Sequence, residues 1–292
     1  MCKFIPSLSD LKNKIDVFAF DQWGVLHDGE HPYKGAINCI KDLSQTSSKI
    51  YIITNSGKRE KDNLSRIVKM GFENEWIDNI ISSGETAWKA IESFNLPIKF
   101  NYPINCYTIA RNQKDGLNWL KNNSGGIHVS NVLNADLILL LGIPDESKAS
   151  DFNKILDQSF SKNIPLLCAN PDLISPRHGG KLVISSGTIA QNYHEKGGIV
   201  LMFGKPYSPI FNDLFLLSKV KDKKRIAVIG DSLEHDILGG NQAGMTTVLV
   251  LSGIHNKDFL NSRSEESKRS ILTKIVNGRQ NYAPDFVVSN LN

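Results

Sequence analysis

Five residues spread along a chain of 292 are of types that could act together: Asp21, Thr54, Lys205, Asp231 and Asp236. Four of them sit at the polar ends of short apolar runs: IDVFAFD (15–21), KIYIITNSG (49–57), GIVLMFGKP (198–206) and RIAVIGDS (225–232). Carboxylates brought close together repel one another unless a cation lies between them. Oxygen ligands of this kind suit magnesium, which binds one or two carboxylates and keeps sites for water and phosphate. A lysine and a hydroxyl can hold the remaining phosphate oxygens. An aspartate in that setting can attack phosphorus and form an aspartyl-phosphate. The residue types therefore point to phosphoryl transfer.

That chemistry needs a scaffold that gathers the five, and the sequence supplies one. The four runs read as buried strands. KGAINCIKDLSQ (34–45) and REKDNLSRIVKMGF (59–72) carry apolar residues at helical spacing between them. Alternating strands and helices argue for an α/β fold built on a parallel sheet with crossovers. In such a sheet the carboxyl ends of the strands share one edge, so Asp21, Thr54-Asn55-Ser56, Lys205 and Asp231 are expected on one rim. A second alternating region covers roughly 104–172. SGETAW (83–88) reads as the entry to it, with Ser83 or Thr86 capping a helix. SSGTIAQNYHEKGG (185–198) reads as a turn and a helix opening the return to the first region. TTVLVLSGI (246–254) and part of APDFVVSNLN (283–292) are further strands.

Bulk properties fit a soluble globular protein of two domains, or of one large domain with an insertion, with 40% hydrophobic and 22% charged residues. A net charge of +4 is mild, and KVKDKKR (219–225) reads as a solvated helix end, so no nucleic-acid partner is expected. The four cysteines, Cys2, Cys39, Cys106 and Cys168, have no metal-like spacing. The longest apolar run, LILLLGI (137–143), is too short to span a bilayer. MCKFIPSLSDLKNK (1–14) has no uninterrupted apolar stretch of the kind a signal peptide needs. A cytoplasmic location and no membrane contact are expected. Rival motifs fail: the Gly57-Lys58 pair lacks the earlier glycine of a phosphate-binding loop, and neither GxGxxG nor GxSxG occurs.

The chain resembles the haloacid dehalogenase (HAD) superfamily, in the NagD-like subclass IIA with an α/β cap inserted after the second motif. FDQWGVLHDG (20–29) resembles the first motif, TNSG (54–57) the second and FGKP (203–206) the third. GDSLEHDILGGNQAGMTTVLVLSGI (230–254) resembles the fourth, and ANPD (169–172) a signature of the class. The resemblance implies a Rossmann-like core of residues 1–84 and 185–292, with a cap of 85–184 that sets substrate choice. It implies a Mg-dependent phosphatase for a small phosphorylated metabolite, and it allows a homodimer. Asp21 would be the nucleophile, Lys205 would stabilise charge, and Thr54, Asn55 and Ser56 would bind phosphate. Magnesium would be held by Asp21, Asp231, Asp236 and the backbone carbonyl of Trp23.

Trp23 departs from that pattern. Phosphatases of the superfamily carry an aspartate there, which protonates the leaving group and then activates water. An indole has one N–H donor and no usable base. General acid–base catalysis typically supplies ~10²–10⁴-fold, about 3–5 kcal/mol of barrier. Three resolutions are open: His27, Asp28 or His235 substitutes, the substrate brings a good leaving group, or the site binds phosphate without turnover. The ring itself could fill space or stack on a substrate. Asn170, Asp172, Arg177 and His178 are candidates to shape the site, though turn chemistry accounts for them equally well.

Overall fold

The structure, a computed structural model, describes residues 2–176, 182–262 and 264–291. Arg177 and His178 lie outside the described residues.

In chain order the strands are β1 (Lys3–Phe4), β2 (Val17–Phe20), β3 (Lys49–Thr54), β4 (Asn79–Ser82), β5 (Ile104–Ile109), β6 (Gly126–His128), β7 (Leu137–Leu140), β8 (Leu166–Cys168), β9 (Ile174–Pro176), β10 (Leu182–Ile184), β11 (Val200–Met202), β12 (Ile226–Gly230), β13 (Thr246–Val250) and β14 (Phe286–Val288). The helices are α1 (Ala36–Ser44), α2 (Glu60–Lys69), α3 (Ser83–Glu92), α4 (Gln113–Leu120), α5 (Asn153–Ser161), α6 (Ser186–Glu195), α7 (Ser208–Ser218), α8 (Leu238–Gln242), α9 (Asn256–Phe259) and α10 (Glu265–Val276).

The chain divides into two compact units. The first comprises Met1–Thr54, Leu64–Ile81 and Lys205–Asn292. Its seven strands run in the order β1-β14-β13-β12-β2-β3-β4, and β12 pairs in parallel with both β2 and β13. Strand β2 is four residues of Val, Phe and Ala, all buried. A central parallel strand covered on both faces requires such an uninterrupted apolar run. Helix α1 buries Ala36, Cys39, Ile40 and Leu43, the i, i+3, i+4, i+7 stripe of a helix lying on a sheet. The α/β class, its parallel sheet and most of its strands thus form where their sequences place them.

The second unit comprises Asn55–Asn63 and Ser82–Gly204. Its sheet has the order β11-β8-β7-β5-β6 and is accompanied by the antiparallel hairpin β9–β10. Successive side chains of a strand point to opposite faces, and two buried clusters use the two faces. Leu139 and Leu167 belong to one cluster, and Ile138, Leu140 and Leu166 to the other.

Three expectations need correction. The return to the first unit does not begin at 185. Val200–Met202 pairs in parallel with Leu166–Cys168, so α6 and β11 belong to the second unit, which runs on to Gly204. Lys205 therefore does not end a strand of the same sheet as Asp21. It is the first residue of the returning chain, three positions beyond β11. Finally, the cap of α3 is Ser82, whose side chain accepts from the Glu85 N–H, rather than Ser83 or Thr86. Among the described residues no helix is long and apolar enough to cross a membrane.

Candidate active site

The parallel register of the first unit brings the acidic residues together. Phe20 lies opposite Ile229 on β12 and Ile52 on β3. Asp21 follows Phe20 directly, Asp231 comes two residues after Ile229, and Thr54 comes two after Ile52. All three therefore emerge at the carboxyl edge, where the sheet can no longer use their polar groups. Beyond β12 the chain makes a five-residue π turn, Leu233–Ile237, with the Ser232 side chain accepting from the His235 N–H. Such turns recur at functional sites, and this one carries Asp236 back towards the strand end.

Asp21, Asp231 and Asp236 each offer an oxygen within 4.8 Å of the others. Lys205 Nζ donates to Asp21 Oδ1 and to Asp236 Oδ1, both at 2.6 Å. Asp236 Oδ2 accepts from the Ser232 N–H at 3.2 Å, and Asp231 Oδ2 from the Ile254 N–H at 2.8 Å. Gly24 lies against this group with φ +82°, and a Cβ there would stand 1.9 Å from Asp231 Oδ2. Only a residue without a side chain permits that approach.

Three carboxylates share one ammonium, and the titration of Asp21 and Asp231 reflects the imbalance. Burial drives the Asp21 carboxyl up to about 7; Lys205 pulls it down and Asp236 pushes it further up. Burial likewise holds Asp231 well above the usual carboxylate range, reinforced by Asp21 and Asp236. Burial pulls Lys205 down, but the charges of Asp21 and Asp236 more than offset it and hold the ammonium above its usual value. The pairing thus satisfies the lysine and leaves the acids short of positive charge. A buried, oxygen-only cluster with that deficit fits a hard divalent cation, and Asp21, Asp231 and Asp236 are the side chains that would hold it.

Trp23 is half-buried, and its ring is turned onto its own loop. Gly29, at φ +105°, lies so close that a Cβ there would sit 2.2 Å from Trp23 Cζ2. His27 meets the ring edge-on at 5.9 Å between centroids. The Arg66 guanidinium lies 6.0 Å over it and donates to the Gly29 carbonyl at 3.3 Å. Nothing in the spacing of REKDNLSRIVKMGF signals that role for Arg66. Of the candidate replacements for the missing acid, His27 is fully buried. Its Nδ1 accepts from the Gly29 N–H at 3.0 Å, which leaves the ring proton on Nε2, and Nε2 has no partner among the described residues. Burial, then the charge of Arg66, hold His27 down at about 4, so it is neutral near pH 7 and shielded from water. Asp28 closes the turn, its Oδ1 accepting from the N–H groups of Glu30 and His31. Gln22 is buried with neither amide atom partnered among the described residues, a feature its sequence position did not announce.

Thr54 ends β3 and is buried. Asn55 and Ser56 follow it in the second unit. There the Asn55 amide donates to Asp172 Oδ1 at 2.7 Å, while the Asp172 N–H donates to Asn170 Oδ1 at 3.0 Å. Asn170 thus shapes a turn, and Asp172 orients Asn55.

Residues 18–105 match the family model for haloacid dehalogenase-like hydrolases, and residues 202–292 match a second model described as HAD-hydrolase-like. Human chronophin is 24% identical over 98% of this chain and 94% of its own. A haloacid dehalogenase-like hydrolase from Brucella suis superimposes with a TM-score of 0.79 at 22% identity, covering 99% of this chain and all of the other. A possible sugar phosphatase of the HAD superfamily from Cytophaga hutchinsonii gives 0.77 at 25% identity, covering 99% and 98%. The chain belongs to the haloacid dehalogenase superfamily.

Proposed function

We propose that the protein is a magnesium-dependent phosphatase that transfers the phosphoryl group of a small phosphomonoester to Asp21 and then to water. The observation that carries this reading is Lys205 Nζ bridging Asp21 and Asp236 at 2.6 Å beside a third buried carboxylate. A site that only bound phosphate would gain nothing from a carboxylate at its centre, because like charges repel. Asp21 is the nucleophile. Lys205 holds its carboxylate in place and offsets the charge that gathers on phosphate oxygens during transfer. Thr54, with Asn55 and Ser56 after it, supplies hydroxyl and amide donors for the phosphate. Asp21, Asp231, Asp236 and the Trp23 carbonyl are the ligands for magnesium, which when bound neutralises the carboxylates and polarises the phosphate. The second unit, built around the sheet of β5 to β8 and β11, is the cap that selects the substrate.

The test is phosphate release from a panel of metabolite phosphates and an aryl phosphate, with magnesium and with EDTA. Release that needs magnesium and disappears in Asp21→Asn is expected. Release that survives Asp21→Asn would remove the nucleophile from this reading.

A further inference from the structure

The first unit holds the nucleophile in place but offers no base beside it in the first-motif loop. Trp23 stands two residues from Asp21, and its indole has no lone pair available to take a proton. The ring is fixed there: Gly29 leaves it room, His27 abuts its edge and Arg66 lies over its face. His27 cannot take over, because it is buried, with Nδ1 accepting from the Gly29 N–H. Asp28 is engaged in its turn through two backbone N–H groups.

We propose that Asp21 is phosphorylated by donors whose leaving group departs without a proton, acyl and aryl phosphates, and that the aspartyl-phosphate then persists as the main form of the protein during turnover. The inference rests on the phosphatase reading above and concerns how its two steps divide. In the first step an Asp21 oxygen attacks phosphorus and a new P–O bond forms. The bond to the leaving oxygen breaks, and its electron pair departs as a phenolate or carboxylate that needs no acid. In the second step water attacks the same phosphorus, the P–O bond to Asp21 breaks and the carboxylate is regenerated. That water must lose a proton, which passes to a phosphate oxygen or to bulk water because Trp23 cannot accept it. The missing base is worth about 10²–10⁴-fold, and the loss falls on the second step alone for these donors. Alkyl phosphates need an acid in the first step as well, so they are poor donors.

The experiment is rapid mixing of the whole chain, with magnesium chloride, against 4-nitrophenyl phosphate, alongside intact-mass measurement of the protein. The expected result is a burst of nitrophenolate approaching one equivalent per chain, followed by a much slower steady phase. A single phosphoryl group should appear on the chain, be removed by hydroxylamine and be absent from Asp21→Asn. Trp23→Asp should abolish the burst and raise the steady rate by about 10²–10⁴-fold. If that variant does not fold, the burst and the mass shift of the unaltered protein decide alone. Steady release with no burst and no label would overturn the inference and leave the phosphatase reading intact. Neither release nor label from aryl or acyl phosphate would overturn both.

Discussion

Replacing Lys205 with methionine isolates the electrostatics of the site from its chemistry. Lys205 is buried and its ammonium touches two carboxylates at 2.6 Å. Methionine keeps much of the stem's volume and removes the charge. Breaking a buried pair by deleting one partner costs about 3–5 kcal/mol, because the other charge stays buried without compensation. Here two carboxylates lose their partner and a third stands beside them, so the upper part of that range is expected in EDTA at about pH 8.5. The pH dependence has a definite sign. The Asp21 carboxyl is raised from 3.8 to about 7 in the folded protein. A raised carboxyl stabilises the fold below its unfolded value, and that contribution is lost as pH rises through its folded value. Lys205 pulls the Asp21 carboxyl down, so its removal pushes the folded value higher and makes the ionised fold less favourable still. The deficit of Lys205→Met should therefore be widest at alkaline pH and should shrink towards about pH 6, as protons replace the missing ammonium.

Urea unfolding at both pH values, with EDTA and with magnesium, measures this directly, provided the slope with denaturant is unchanged. Magnesium should stabilise the variant more than the parent, since the cation then restores positive charge that the cluster has lost. A variant within about 0.5 kcal/mol of the parent at the alkaline pH, or a deficit that grows on acidification, would refute the account of three carboxylates held by one ammonium.

Other substitutions test neighbouring parts of the structure. Gly24→Ala forces a side chain into left-handed backbone and to within 1.9 Å of Asp231 Oδ2; it should cost at least about 1–2 kcal/mol and abolish stabilisation by magnesium in thermal melts. In the second unit, Glu85 accepts from Arg59 Nε at 2.6 Å and from the Glu60 N–H. Glu85→Gln should cost about 1–3 kcal/mol at neutral pH. Burial pushes the Glu85 carboxyl up, but the bond from Arg59 and its other partners bring it below its usual value. Its contribution is therefore present above about pH 4.5 and lost as pH falls through the folded value, so the deficit seen in denaturant titrations should close on acidification. Tyr193→Phe removes a buried hydroxyl that donates to the Ile164 carbonyl at 2.6 Å; a loss of about 1–2 kcal/mol is expected by circular dichroism melting.

Much of the site was legible because the sheet enforces it. Asp21 and Asp231 each close an apolar run, and a parallel register places such ends side by side whatever lies between them in sequence. Lys205 was legible for a different reason from the one its sequence suggests. GIVLMFGKP has the pattern of a strand with a polar end, and β11 does form, but in the other sheet. A strand's apolar pattern records that it is buried, not which neighbours bury it. The same ambiguity misplaced the boundary at 185, because an amphipathic pattern such as that of α6 does not say which unit it packs in. The cap of α3 shifted by one residue because Ser82, Ser83 and Thr86 are all competent acceptors, and only backbone geometry selects among them. Arg66 and Gln22 gave no signal, since a contact across a loop leaves no periodicity in the chain.

Position 23 shows what a motif requires physically. A carbonyl ligand depends on the path of the backbone, and Gly24 at φ +82° beside Asp231 fixes that path independently of the residue before it. The side chain at 23 is under no such constraint from the carboxylates. Here it is accommodated by features outside the cluster: the bare backbone of Gly29, the edge of His27 and the guanidinium of Arg66. On the proposed reading, metal binding and nucleophilic attack depend on the first set of contacts, and proton transfer on the second. The two can therefore be separated by changing the loop alone. On the proposed reading, a chain that keeps Asp21, Lys205, Asp231 and Asp236 while packing an indole at 23 retains the groups for forming a phosphoryl bond and has no carboxylate at that position to hasten its hydrolysis.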